Sequence, residues 1–302
     1  MMKYRENADP CDWCPCSKIG HPSNWPHCFD ATSQWENAIR TRDQWRAWKG
    51  ASMHRLFTVL AFLSVENMEP DELHIFHLGV SGYCLGSILY LLVYVLLVGS
   101  PHDNLNRVWQ AILNHYNAHD TASQYTNMQL SFFVNTKAVH STYPNLKGRG
   151  AEVKGFAEAM CSAWRDLVPR GGDLDRIVCQ GLDSLVNVQS LIGDWKNEWL
   201  MPLATTQELR DSTDVFLNSY NWLGLEADRR GLLLFSATPK LHYVWHLAYR
   251  ARWLSLRRSA TWIDEDFVGH MKTLAQRCLT GTQLHHVARL MMTKYRYGMS
   301  TA

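Results

Sequence analysis

Val80-Ser81-Gly82-Tyr83-Cys84-Leu85-Gly86-Ser87-Ile88-Leu89-Tyr90-Leu91-Leu92-Val93-Tyr94-Val95-Leu96-Leu97-Val98-Gly99 is twenty residues without one charged side chain. That is enough to span a bilayer, so the fold turns on whether this segment faces lipid or protein. Ser81, Gly82, Gly86 and Ser87 thin its first half, and the strongly apolar part shrinks to the eleven residues from Ile88 to Val98. Such a length suits a helix buried in a protein core. The nearest cations are Arg55 and Arg107, so no Lys/Arg cluster flanks the run to orient a membrane span. The segment reads as the core helix of a folded protein, and no membrane is expected as a partner.

Outward from this run the pattern stays helical. Residues 72–98 read as one or two apolar helices with a weak point at Gly79–Gly82. Asp103–His115 carries Leu105, Val108, Trp109, Ile112 and Leu113 at helical spacing, with Asp103 placed to cap. Further helices are expected over 151–168, 173–200, 205–228 and 239–256, punctuated by Gly171-Gly172, Met201-Pro202 and Gly231. One more begins near Asp264, and another covers roughly 281–296. Residues 125–135 fit either a strand or a helix, and 142–150 a loop. Trp35, Ile39, Trp45 and Trp48 among charges suggest one or two short amphipathic helices in 31–50. The expected class is mainly α. With 302 residues, 46% hydrophobic and 19% charged, the chain has the makings of a core, and its 13 Trp and 12 Tyr read as core and interface anchors.

Four of the eight cysteines crowd into residues 11–28, while Cys84, Cys161, Cys179 and Cys278 are scattered among apolar neighbours. No apolar run follows Met1-Met2-Lys3-Tyr4-Arg5-Glu6-Asn7, so a signal peptide is not expected and the thiols point to a reducing, intracellular compartment. Cys11-x2-Cys14 with His27-Cys28 after it resembles a zinc knuckle, since thiolates and imidazoles at such spacings close a tetrahedral site. Cys11, Cys14, His27 and Cys28 are the preferred Zn²⁺ ligands, with Cys16 or His21 as substitutes; a Trp- and Pro-rich loop with free thiols is the other reading. His242 and His246, four apart, share one helix face, but no Glu lies between them as a metalloprotease needs. They read as satisfied core or groove histidines.

The last sixty residues carry an asymmetry. Residues 240–302 hold ten Lys/Arg against three acids, a balance of +7 in a chain of formal net charge +2. The acids stand together as Asp264-Glu265-Asp266, which suits either divalent metal facing a polyanion or the acidic first turn of a helix. Arg250, Arg252, Arg257, Arg258, Lys272, Arg277 and Arg289 are candidate DNA phosphate contacts or, equally, a solvated face. No nucleophile elbow, phosphate loop or dinucleotide fingerprint occurs.

Taken in order, several short strings resemble the C-terminal part of DDE-type DNA transposases of the CACTA (En/Spm-like) and Kyakuja–Dileera–Zisupton groups, as in transposase-like reading frames of protist genomes. They are Cys11-x2-Cys14, Asp71-Glu72-Leu73-His74 running into Leu78-Gly79-Val80, Tyr143-Pro144-x-Leu146-Lys147, Pro239-Lys240-Leu241-His242, and Glu265-Asp266-Phe267-Val268-Gly269. The resemblance implies an RNase H-like core interrupted by a helical insertion, with acids that hold two Mg²⁺ or Mn²⁺ ions for phosphodiester chemistry. Glu265 would be the final catalytic Glu, and Asp71 and His74 would belong to an accessory string. The family's first two Asp have no counterpart, because only ten residues precede Cys11. The resemblance therefore implies a truncated or degenerate DNA-binding fragment, nuclear or otherwise intracellular. Its parts would be a Cys/His/Trp-rich knuckle with short helices (1–50), an insertion-like helical domain (51–238) and basic C-terminal helices (239–302). The alternative is a non-catalytic α-helical interaction protein with a zinc knuckle.

Overall fold

The uncharged run lies in a helix that continues without a break from Leu73 to Leu96. The computed structural model describes residues 11–29, 33–35, 38–50, 55–60 and 62–300 of the chain. Two short helices, α1 (Arg42–Lys49) and α2 (Arg55–Val59), precede this long one, α3 (Leu73–Leu96). Then come α4 (Pro101–Ala118), α5 (Gly150–Leu167), α6 (Asp173–Asp194), α7 (Leu203–Arg229), α8 (Pro239–Arg250) and the single turn α9 (Leu256–Ser259). Helices α10 (Trp262–Leu279) and α11 (Leu284–Ser300) complete the chain. The chain divides after Ala260 into two compact units, Met1–Ala260 and Thr261–Ala302.

In α3 the hydrogen-bond register changes twice. Leu73–Ser81 and Leu91–Leu96 are π-helical, and Gly82–Tyr90 between them is α-helical. A π turn brings residues five apart onto one side. Glu72 and His77 are five apart, both fully buried, and joined Oε1 to Nε2 at 2.6 Å. By length and composition α3 is apolar enough to cross a membrane, yet 78% of its most apolar window is buried inside the protein. Helices α4 and α5 and the front of α8 pack on it. The small residues that thin the sequence here are its packing face. Gly82 O accepts the Leu146 amide at 2.9 Å, and Ser87 Oγ accepts the Phe235 amide at 2.8 Å.

Gly86 shows why no larger residue fits. A Cβ there would stand 2.8 Å from both the Asn145 and Leu146 amide nitrogens and 2.9 Å from Asn145 Cα, all backbone atoms that cannot rotate away. Gly86→Ala is expected to cost about 2 kcal/mol in urea unfolding through overpacking, despite the ordinary gain of Ala over Gly in a helix. Gly269→Ala in α10 meets open space and should stabilise its own helix instead.

The remaining helices of the first unit bury one stripe each. In α4 this is Leu105, Val108 and Ile112, as expected, although Ser100 rather than Asp103 caps it: the Ser100 hydroxyl accepts the Asp103 amide, and Pro101 fills the first helical position. Asn104, nearly inaccessible, donates to the Val93 and Leu97 carbonyls and so closes the end of α3. Helices α6 and α7 form the largest helix pair, with α5 on α6 and α7 on α8. Residues 125–135 are irregular apart from the short turn Leu130–Phe132. In the second unit α10 pairs with α11.

Among the described residues there is no β-strand. An RNase H-like core is a mixed α/β fold built on a sheet, so the transposase resemblance, with its DDE chemistry and its truncated-fragment function, is corrected: this is a helical protein. The mainly α class stands.

Candidate metal centre

Helix α8 starts where Pro239 supplies a fixed first-turn geometry, and its 3.6-residue period then puts His242 and His246 on one face. Leu241, Val244, Leu247 and Ala248 are buried on the same helix. Against the two imidazoles lies the irregular segment 11–29, whose Cys11, Cys14 and Cys16 are fully buried. Cys11 Sγ is 3.2 Å from His246 Nε2, Cys14 Sγ is 3.3 Å from His242 Nε2, and the two Nε2 atoms are 3.0 Å apart. The ligand atoms of Cys11, Cys14, His242 and His246 all lie within 4.8 Å of one another.

A tetrahedral Zn²⁺ ion with Zn–S of about 2.3 Å and Zn–N of about 2.0 Å sets its donors roughly 3.3–3.8 Å apart. The sulfur–nitrogen separations are close to that and the two imidazole nitrogens are somewhat closer, so the cluster can take an ion with small adjustments. His242 also has the support expected of a ligand: its Nδ1–H donates to the Pro26 carbonyl at 2.7 Å, which leaves Nε2 bare toward the thiols.

Several contacts hold the segment in place. Arg40 donates through Nη1 to Cys11 O at 2.7 Å and to Cys14 O, and its amide donates to Trp13 O. Trp13 Nε1 reaches Met68 O, while Asn218 and Asn221 of α7 donate to the Phe29 and His27 carbonyls. Trp35 stands edge-on to His242 and Trp245, with ring centroids 4.4 and 4.9 Å away. Burial raises the Cys11 thiol, but hydrogen bonds from Cys14 and Cys16 and the charge of the two imidazoles outweigh it and hold Cys11 well below its usual range. Burial and the bond to Cys11 push Cys14 up, and Cys16 rises through its bonds to the same sulfur. Burial lowers His246. A metal would displace the thiol protons.

Comparison with known proteins gives no match: no family model fits the chain, and no curated protein or solved structure is significantly similar to it. The geometry of the site itself carries the functional reading.

Of the residues singled out by sequence, Cys11 and Cys14 are in the cluster. His27 and Cys28 lie outside the group of four; burial above all lowers the His27 imidazole to about 4. His242 and His246, read as core histidines, are the second half of the group. The signal lay in a lone Cys-x2-Cys with no second pair nearby, and in an i, i+4 His pair more than two hundred residues away.

Asp71 and His74 shape a helix start. One Asp71 oxygen accepts the Leu73 amide at 3.2 Å, and the other pairs with His74 Nδ1. Glu265 falls in α10, and its side chain is outside the described residues. Among the described residues no carboxylate group is arranged for Mg²⁺ or Mn²⁺. Several of the candidate phosphate contacts are engaged elsewhere. Arg250 is buried and bidentate to Glu69 at 2.6 and 2.8 Å, Arg257 is 3.4 Å from Glu72, and Arg258 donates to the Asn197 and Glu198 carbonyls. Arg252 lies over Tyr249 and Trp253. Lys272, Arg277 and Arg289 are exposed on α10 and α11.

Proposed function

We propose that the chain is a non-catalytic α-helical interaction protein whose N-terminal segment is latched to the helical core by a structural Zn²⁺ ion. The observation that carries this is the convergence of buried thiolate and imidazole donors from residues more than two hundred positions apart. A site with four protein donors and no accessible side has no open position for water or substrate, which is the arrangement of structural rather than catalytic zinc. All eight cysteines are free thiols, in keeping with a reducing compartment. An interaction role is supported by the connection between α6 and α7, where Trp199, Leu200 and Leu203 are 68%, 61% and 81% exposed.

Limited proteolysis with and without a chelator tests the latch. Chelation is expected to speed cleavage within residues 11–41 at least tenfold, because the segment then loses its metal tie to α8, while the α3–α8 core stays intact. Equal cleavage in both conditions would remove the latch.

A further inference from the structure

We infer that Cys16, and not His246, is the fourth ligand of the ion, giving three thiolates and one imidazole from Cys11, Cys14, Cys16 and His242. This rests on the metal-centre proposal and deepens it. Cys11, Cys14 and His242 form a triangle with two candidate partners. Cys16 Sγ lies 3.6 Å from His242 Nε2 and in hydrogen-bond contact with the sulfurs of both Cys11 and Cys14. It touches all three members of the triangle, yet it stands outside the group that contains His246. Five donors therefore compete for a four-coordinate ion.

Two observations favour Cys16. The first is spacing. A tetrahedral ion sets an N and an S donor about 3.5 Å apart and two N donors about 3.3 Å apart. The His242–Cys16 separation of 3.6 Å fits the first value, while the two imidazole nitrogens at 3.0 Å are closer than one ion holds them.

The second is what stands behind each imidazole. His242 Nδ1 has the Pro26 carbonyl; His246 Nδ1 is buried and has no hydrogen-bond partner among the described residues. Were His246 to bind the ion through Nε2, its proton would sit on Nδ1, and that N–H would be buried without an acceptor. Ligating histidines almost always donate that proton to an outer group. With the proton on Nε2 instead, His246 donates across 3.2 Å to the Cys11 sulfur, and the atom left without a partner is only a lone pair. That N–H also offsets part of the negative charge of a three-thiolate centre. Soft thiolate donors suit Zn²⁺ and other thiophilic ions. His246 is then a positioning residue for the Cys11 thiolate.

Cobalt substitution in the full chain tests this, because sulfur-to-cobalt charge-transfer absorbance per bound Co²⁺ counts thiolates. Cys16→Ser is expected to remove about one third of that absorbance, and His246→Gln to leave it unchanged while weakening Zn²⁺ binding about tenfold. The reverse pattern, with Cys16→Ser silent and His246→Gln losing the tetrahedral visible bands, would overturn the inference. X-ray absorption of the zinc-loaded, unsubstituted chain needs no variant. Three sulfurs at about 2.3 Å with one nitrogen at about 2.0 Å are expected, and two of each would overturn the assignment. If the unsubstituted chain takes up neither Co²⁺ nor Zn²⁺, the metal centre itself fails, a result distinct from a wrong fourth ligand.

Discussion

Cys14→Ser is expected to lower the melting temperature of the zinc-loaded protein by about 10 °C. A ligand held at a thousand times its dissociation constant contributes about 4 kcal/mol to the folded state. In a unit of this size each kcal/mol is worth roughly 2–4 °C. The metal joins residues 226 and 228 positions apart, so it closes one of the longest loops the chain can form, and constraints on long loops give the greatest gain. The effect should stop short of global unfolding, because helices α3–α8 pack on one another independently of the ion. EDTA added to the unsubstituted protein should give the same fall, and EDTA added to Cys14→Ser no further one, since both remove one interaction. Acid should do likewise, because binding requires deprotonated thiols and neutral imidazole, so protons compete with the metal as pH falls. Calorimetry in the four combinations checks this; additive falls would mean that serine and chelator act at different places.

Glu72→Ala should be the most costly change in the helical core, about 3–5 kcal/mol in urea unfolding. Glu72 and His77 are both fully buried, and the π turn that pairs them also sets Glu72 Oε2 3.4 Å from Arg257 of α9. Removing the carboxylate takes away the oxygen 2.6 Å from the buried His77 imidazole and the anion 3.4 Å from Arg257. Glu72→Gln keeps the shape and an acceptor and should recover part of the loss. Arg149→Ala, which breaks a pair whose arginine side chain is 85% exposed, should cost less than about 1 kcal/mol. Equal effects at the two sites would deny the buried network its role.

Where one segment meets its neighbours through a regular stripe, the sequence was readable. The apolar run at 80–99 reads as a core helix and is largely buried, the stripe of α4 lies where periodicity puts it, and helices α5 to α8 fall within or close to their expected spans. Ends were less legible because they depend on caps: α6 stops at Asp194 rather than 200, and α8 at Arg250 rather than 256. Gly82 and Gly86, which look like weak points in a helix, are positions where the backbone at 145–146 comes close.

The site was half legible. Cys11 and Cys14 announce a metal through their spacing, but their partners come from a distant helix, and only the fold brings them together. The transposase resemblance failed for a related reason, because its short strings serve local structure. Asp71 and His74 stand at a helix start, Pro239 opens the first turn of α8, and Leu146 lies against α3. Strings with such local roles recur in unrelated chains.

Native mass spectrometry of the full chain, purified without chelator, tests the metal latch most directly. The expected result is one Zn²⁺ per chain, lost on chelation together with the N-terminal protection from protease. A chain at its metal-free mass that takes up no added zinc, and melts at the same temperature with or without it, would contradict the latch.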